Sequence, residues 1–335
     1  MTGRERTIAT LEFKSPDRIP KDLWIHGAAR IKHGDKIDAL LEKHPTDMIR
    51  IHGPMDRYFY LELSAKGMIV DHWGSTWENL TNGLTGEVKI PALDDIEKAK
   101  DFKTPIDTLK SEWELKGHIV DEQIKKARAK GMFIIGGYGE IFQRMQFVRG
   151  TEDLLCDMLT DEENTIIFRD KIVEYFEEYL KFWLSRDVDA IFFSDDWGTQ
   201  RALLMSPDVW RKIFKPAYKK LIGIVKSHGK YFFHHSCGYV YDLYPEFIDI
   251  GIDAINNQLH CMDIDKIAEN YAGKITFWGE MDRQRTLPYG TREDILAEAR
   301  EMIEKLYVNG GGLIGQSVAG IDVPIENVET ALSAW

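Results

Sequence analysis

The chain is expected to fold as an α/β protein, a single (β/α)₈ barrel, and three observations point there. Eight short β-rich runs recur along its 335 residues. Helical stretches follow many of them, the alternation that builds parallel βαβ units. No glycine-rich phosphate turn follows the first run, as the alternative doubly wound sheet would require.

The elements follow in order. Met1 to Arg18 is charged and has no apolar stretch, so it does not read as a secretory signal. Asp22–His26 and Met48–His52 are the first two runs, the weaker ones. Residues Gly53–Lys130 read as irregular, an insertion capping the barrel mouth, with short antiparallel strands around Trp73–Trp77 and Thr85–Glu87. Phe133–Gly137 is the third strand, and Ala190–Ser194 the fourth, after a long amphipathic helix over Glu162–Arg186. Ser206-Pro207-Asp208 starts a helix with proline at its first position, running to His228 before Gly229. Tyr231–His235, Ala254–Asn257 and Ile275–Gly279 are the next strands. Thr291-Arg292-Glu293-Asp294 resembles a capping box and opens a helix ending near Asn309-Gly310, before the last strand, Leu313–Gln316. Residues 1–335 are thus expected to be one domain, with 53–130 inserted in it.

Composition excludes several classes. No run of 18 apolar residues occurs, so no membrane span is expected. Net charge is −12 and no basic stripe is visible, so nucleic acid is not the expected partner. Cys156, Cys237 and Cys261 are too few and too scattered for a disulfide framework; they read as reduced thiols of a cytoplasmic protein.

In a (β/α)₈ barrel the reacting groups stand at the C-terminal ends of the strands. Those ends carry His26, His52, Tyr138 and Glu140, Asp195 and Asp196, His235 and Cys237, Gln258 with His260 and Cys261, Glu280 and Asp282, and Gln316 with Ser317. Residues two apart on a strand share a face, so His235 and Cys237 can grip one ion, and zinc suits imidazole with thiolate. The bland reading is a buried histidine beside an inert thiol. Cys261 and Glu280 are candidates to complete the ligand set, and Cys261 is equally an ordinary buried thiol. His234 alternates to the other face. One of Asp195 and Asp196 is a candidate general acid or base, unless the pair is a helix cap with a solvated charge. Trp197 opens a loop suited to binding. Tyr138 and Glu140 sit among Gly136, Gly137 and Gly139, which allow close approach of a ligand or merely a tight turn. With Gln258 and Gln316 these are the expected substrate contacts. Asp71 and Trp73 either close over the site or anchor a hairpin.

Several segments together are similar to the uroporphyrinogen decarboxylase superfamily. They are Pro16–Pro20, Asp71-His72-Trp73-Gly74, Asp195–Gln200, His235-Ser236-Cys237-Gly238, Gly279–Gln284, Gly311-Gly312 and Asp322–Asn327. The resemblance covers nearly the whole chain and implies a (β/α)₈ barrel. Within the superfamily, authentic decarboxylases carry an arginine-rich N-terminal segment that grips the carboxylates of the tetrapyrrole. The matching stretch, Leu23–Arg30, retains only Trp24 and Arg30 loosely, which argues against that substrate. The other branch comprises zinc-dependent methyltransferases of one-carbon metabolism, with a His-x-Cys motif that His235 and Cys237 match. The further cysteine expected near the last strand is replaced by Gln316-Ser317, so Cys261 or Glu280 takes its place or the site is altered. This resemblance implies zinc as cofactor and a corrinoid carried by a partner protein. It also implies methyl transfer between that corrinoid protein and either a small methylated compound, such as the methoxylated aromatic of an O-demethylase, or a one-carbon carrier. In that chemistry Asp195 or Asp196 handles a proton, while Trp197 and Tyr138 hold an aromatic ring. The chain is also compatible with a homodimer. Two other readings stay open: a cofactor-free decarboxylase, and a non-catalytic barrel that binds a corrinoid or tetrapyrrole.

Overall fold

The computed structural model describes residues 1–57 and 65–335. Its strands are β1 (Lys21–Ile25), β2 (Met48–Ile51), β3 (Gly67–Val70), β4 (Thr76–Asn79), β5 (Glu87–Ile90), β6 (Phe133–Gly139), β7 (Ala190–Ser194), β8 (Tyr231–Ser236), β9 (Ala254–Asn257), β10 (Thr276–Trp278) and β11 (Leu313–Ala319). Eight of them form one parallel sheet in the order β1-β11-β10-β9-β8-β7-β6-β2. β1 and β2 lie side by side and close it into a barrel. At the foot of that seam the Asp47 N–H donates to the Lys21 carbonyl at 2.9 Å. The Asp47 carboxylate accepts from Lys21 N at 2.7 Å and pairs with Arg6 and Arg18. Asp17 holds Arg6 from the other side. Asp17 and Arg18, which belong to one of the segments carrying the resemblance, therefore work at the bottom of the barrel, the stability face.

Strand alternation sorts the side chains. Phe133, Ile135, Phe192, Phe233, Trp278 and Ile314 point inward and fill the barrel. The opposite residues, such as Ile134, Ile191, Phe193 and Phe232, pack against the surrounding helices. Among the described residues no helix is long and apolar enough to cross a membrane.

Three elements differ from expectation. Residues 53–130 are not irregular throughout: Ile106–Ala129 is a 24-residue helix between β2 and β6, part of the barrel's outer ring. It buries Leu109, Trp113, Gly117, Val120, Ile124 and Ala127, a helical spacing obscured by two small residues within the stripe and by Leu115 and Ile119 exposed outside it. The antiparallel unit is β3-β4-β5 alone. The helix expected from Ser206 to His228 is two, Pro207–Ile213 and Lys215–Ser227. Pro216 has no N–H to continue the first, so the chain breaks at Phe214 and restarts with proline in its first turn. β6 runs to Gly139 through an irregularity between Gly136 and Gly139. A Cβ on Gly136 would lie 2.5 Å from the Trp183 ring, so glycine lets this strand pass under the indole.

Candidate metal centre and active site

The site is built around His235, which β8 aims into the barrel beside Asn256 of β9. Its Nδ1 lies 2.5 Å from Asn256 Oδ1. The Asn256 amide nitrogen is committed, donating to the Trp278 carbonyl at 2.6 Å, so its oxygen faces the imidazole. That pattern makes Nδ1 the donor and leaves the lone pair on Nε2. Burial holds the imidazole below its usual pKa, and the Asp196 charge opposes this. The Trp24 ring lies 5.2 Å from the His235 ring and forms one wall.

Nε2 faces two further ligand atoms. Cys237 Sγ is 3.2 Å away and Asp196 Oδ1 is 3.5 Å away. The ligand atoms of Asp196, His235 and Cys237 all lie within 4.8 Å of one another. Asp196 is held in place by Cys237 N, which donates to Oδ1 at 2.8 Å, and by Gln143 Nε2, which reaches Oδ2 at 3.3 Å. One nitrogen, one sulfur and one oxygen ligand, with the imidazole oriented by a further hydrogen bond, is a donor set that fits zinc with a position left for a reactant. Burial and the Asp196 charge push the Cys237 thiol up, while Arg283, whose Nη2 is 2.9 Å from Sγ, favours the thiolate.

The paired aspartates divide their work. Asp195 is fully enclosed: it accepts from Ile141 N at 2.9 Å, Gln143 N at 2.8 Å and the Tyr218 hydroxyl. It ties the turn after β6 to the end of β7, and burial pushes its carboxyl up to about 7. Asp195 therefore braces that turn, and Asp196 is the member of the pair that faces the ligand group. Trp197 is fully buried, stacks on Phe142 at 5.1 Å and donates to His234 Nε2, so it belongs to the layer between sheet and helices. His234 indeed faces that layer.

The remaining expected ligands stand apart. Cys261 lies in a short turn, half-buried, with Sγ 3.9 Å from Gln258 Oε1; the ligand group contains Asp196 in its stead. Glu280 is also outside that group, although its charge acts on Cys237. It is almost wholly buried and pushed up to about 7 by burial, against the pull of Arg283. Arg283 Nε is 2.9 Å from Glu280 Oε1, at an angle that makes a charge contact and no hydrogen bond, so both carboxyl oxygens lack a donor. Such a carboxyl can hold a proton near neutrality.

Of the expected substrate contacts, Tyr138 is half-buried in the barrel beside Phe192. Glu140 pairs with Arg144 and lines, with Tyr138, Asp71 and Trp73, a small cavity of about 40 Å³ beside the mouth. Asp71 and Trp73 anchor the antiparallel unit: the Asp71 carboxylate accepts from Trp73 N, Ser75 N and Trp77 Nε1, each at 2.9 Å. Gln258 accepts from Gly238 N at 2.7 Å and so fixes the turn after Cys237. Gly238, at φ +79°, presses on the Gly198 carbonyl, and no side chain fits there. Gln316 is buried and donates to the Ser317 carbonyl at 3.0 Å. Sequence reasoning missed Asn256 and Arg283. Asn256 was findable, because it occupies the inward register position beside His235.

The chain matches the family described as uroporphyrinogen decarboxylase (URO-D) over residues 85–335. No curated protein sequence matches it. Among solved structures, it is similar to a methyltransferase from Methanosarcina mazei at TM-score 0.72 and 19% identity, over 100% of this chain and 98% of that one. A GH113 β-1,4-mannanase gives TM-score 0.43 at 11% identity, over 94% of this chain and 98% of that one. A sugar phosphate isomerase/epimerase from Parabacteroides distasonis gives 0.41 at 11% identity, over 94% and 95%.

Proposed function

Because this chain belongs to the uroporphyrinogen decarboxylase family, we propose that it is a methyltransferase that moves a methyl group between a small methylated compound and a corrinoid protein. The observation that carries this reading is the convergence of His235 Nε2, Cys237 Sγ and Asp196 Oδ1 at the barrel mouth. These three residues would hold zinc. When bound, zinc supplies a Lewis acid for the heteroatom that carries or receives the methyl group. A corrinoid on the partner protein would be the other methyl carrier.

The chain's own residues do the rest. Asn256 keeps the His235 lone pair on Nε2. Asp196 adds negative charge and braces the Cys237 backbone. Arg283 offers Cys237 Sγ a positive partner. Glu280, near neutral at about 7, is placed to take or return a proton at its undonated oxygens. The fold likeness to a methyltransferase is in keeping with this reading. Decarboxylation of a polycarboxylate is disfavoured by Arg30, which pairs with Asp38 on the exposed helix surface and offers no grip in the mouth.

The test is an anaerobic assay of zinc-loaded protein with cob(I)alamin and a panel of methoxylated aromatics and methyl thioethers. Methylcobalamin formation, read from its absorbance, is the expected result. Conversion of uroporphyrinogen to a less carboxylated product, without methyl transfer, would overturn the proposal.

A further inference from the structure

Arg50 is placed unusually for an arginine. It points into the barrel from β2, half-buried, and among the described residues its guanidinium makes no hydrogen bond and no ion pair. Its charged carbon lies over the rings of Trp24 at 4.8 Å, Phe192 at 4.9 Å and Tyr138 at 5.9 Å. Aromatic faces attract a cation but take none of its N–H donors, which lie in the guanidinium plane. A buried carboxylate that feels the Arg50 charge is Asp22. Its carboxylate is already committed to Leu23 N, Trp24 Nε1 and Trp278 Nε1 at 2.9 to 3.0 Å. Taking a cation out of water without pairing its donors is costly unless a ligand or water completes it. Trp24 touches both Arg50 and His235, so the guanidinium and the ligand group flank a single indole.

We propose that Arg50 is the receptor for the carboxylate of a small organic acid whose other end reaches the His235–Cys237–Asp196 group. This inference rests on the methyl-transfer reading for the identity of that other end, and on geometry alone for the carboxylate. A planar guanidinium matches a carboxylate with two parallel N–H···O bonds. A monoanion is favoured over a phosphate dianion, because Asp22 supplies negative charge nearby. The rings of Trp24, Phe192 and Tyr138 give the ligand's body an apolar, flat lining.

The experiment is equilibrium binding of benzoate, benzamide and inorganic phosphate, followed by tryptophan fluorescence and calorimetry, for the wild type, Arg50→Met and Arg50→Lys. The expected result is benzoate binding about 10-fold or more tighter than benzamide in the wild type, as a lost charge-assisted pair implies. Arg50→Met should abolish that preference, and Arg50→Lys, which keeps the charge but not the fork, should retain part of it. Equal binding of benzoate and benzamide, an unchanged preference in Arg50→Met, or phosphate bound more tightly than benzoate would overturn the proposal. Zinc content, measured on the same samples, separates the two readings. Zinc without carboxylate preference sinks the Arg50 receptor alone. Arg50-dependent preference without zinc upholds the receptor and sinks the metal-based function.

Discussion

Asn256 decides which nitrogen of His235 is available, since its own amide nitrogen is spent on the Trp278 carbonyl. Asn256→Ala should therefore weaken zinc affinity about 10- to 100-fold while leaving the fold intact, the usual effect of losing such an outer partner. Competition with a chelator would show it, and unchanged affinity would refute the orienting role. Asp22 carries a second residue-scale prediction. Burial raises its pKa from 3.8 to about 6, with Arg50 and two indole N–H groups pulling the other way. Its folded-state pKa is raised, so the native protein holds a proton between these values that the unfolded chain releases. The contribution is full below about 4 and is lost as pH rises through 6. Asp22→Asn should flatten this part of the stability profile, and denaturant melts at pH 4, 5, 6 and 7 would show whether the wild-type slope survives. The His235–Cys237 pair was legible from spacing alone, because alternation on one strand puts both on one face. The role of Asp196 was not, because the choice between adjacent aspartates depends on which of them the neighbouring turn consumes.

The β3-β4-β5 unit depends on one carboxylate. Asp71 accepts three hydrogen bonds that set its first turn and dock Trp77, so Asp71→Ala leaves three donors without their acceptor. A loss of about 3 kcal/mol or more is expected from urea unfolding, with zinc content unchanged, since charged acceptors are worth about 1.5–3 kcal/mol each. A loss under about 1 kcal/mol would show that the unit is held by packing instead. Turn chemistry made these short strands readable around Trp73–Trp77. The helix Ile106–Ala129 was hidden, because Gly117 and Ala127 dilute its buried stripe while Leu115 and Ile119 put apolar residues outside it. The break at Phe214 was hidden by a strong start signal at Ser206-Pro207, although Pro216 marks it.

For the whole molecule, barrel closure concentrates at Asp47, where Arg6, Arg18 and the β1 backbone meet. Asp47→Ala leaves buried Arg6 short of a partner and opens the seam, so a loss of about 3–5 kcal/mol is expected in equilibrium unfolding. An unchanged midpoint would mean that β1 and β2 are joined by side-chain packing alone. The barrel was legible because eight short β-rich runs alternate with helical stretches, the pattern that parallel βαβ units impose. The closing contacts were not, since they join residues far apart in the chain. The metal centre is tested most directly by zinc per chain in anaerobically purified wild type and Cys237→Ala. Near-stoichiometric zinc in the wild type, lost in the variant, is the predicted result. A wild type that takes up no zinc even when supplied with it, or a variant that binds as well as the wild type, would contradict a metal held by His235, Cys237 and Asp196.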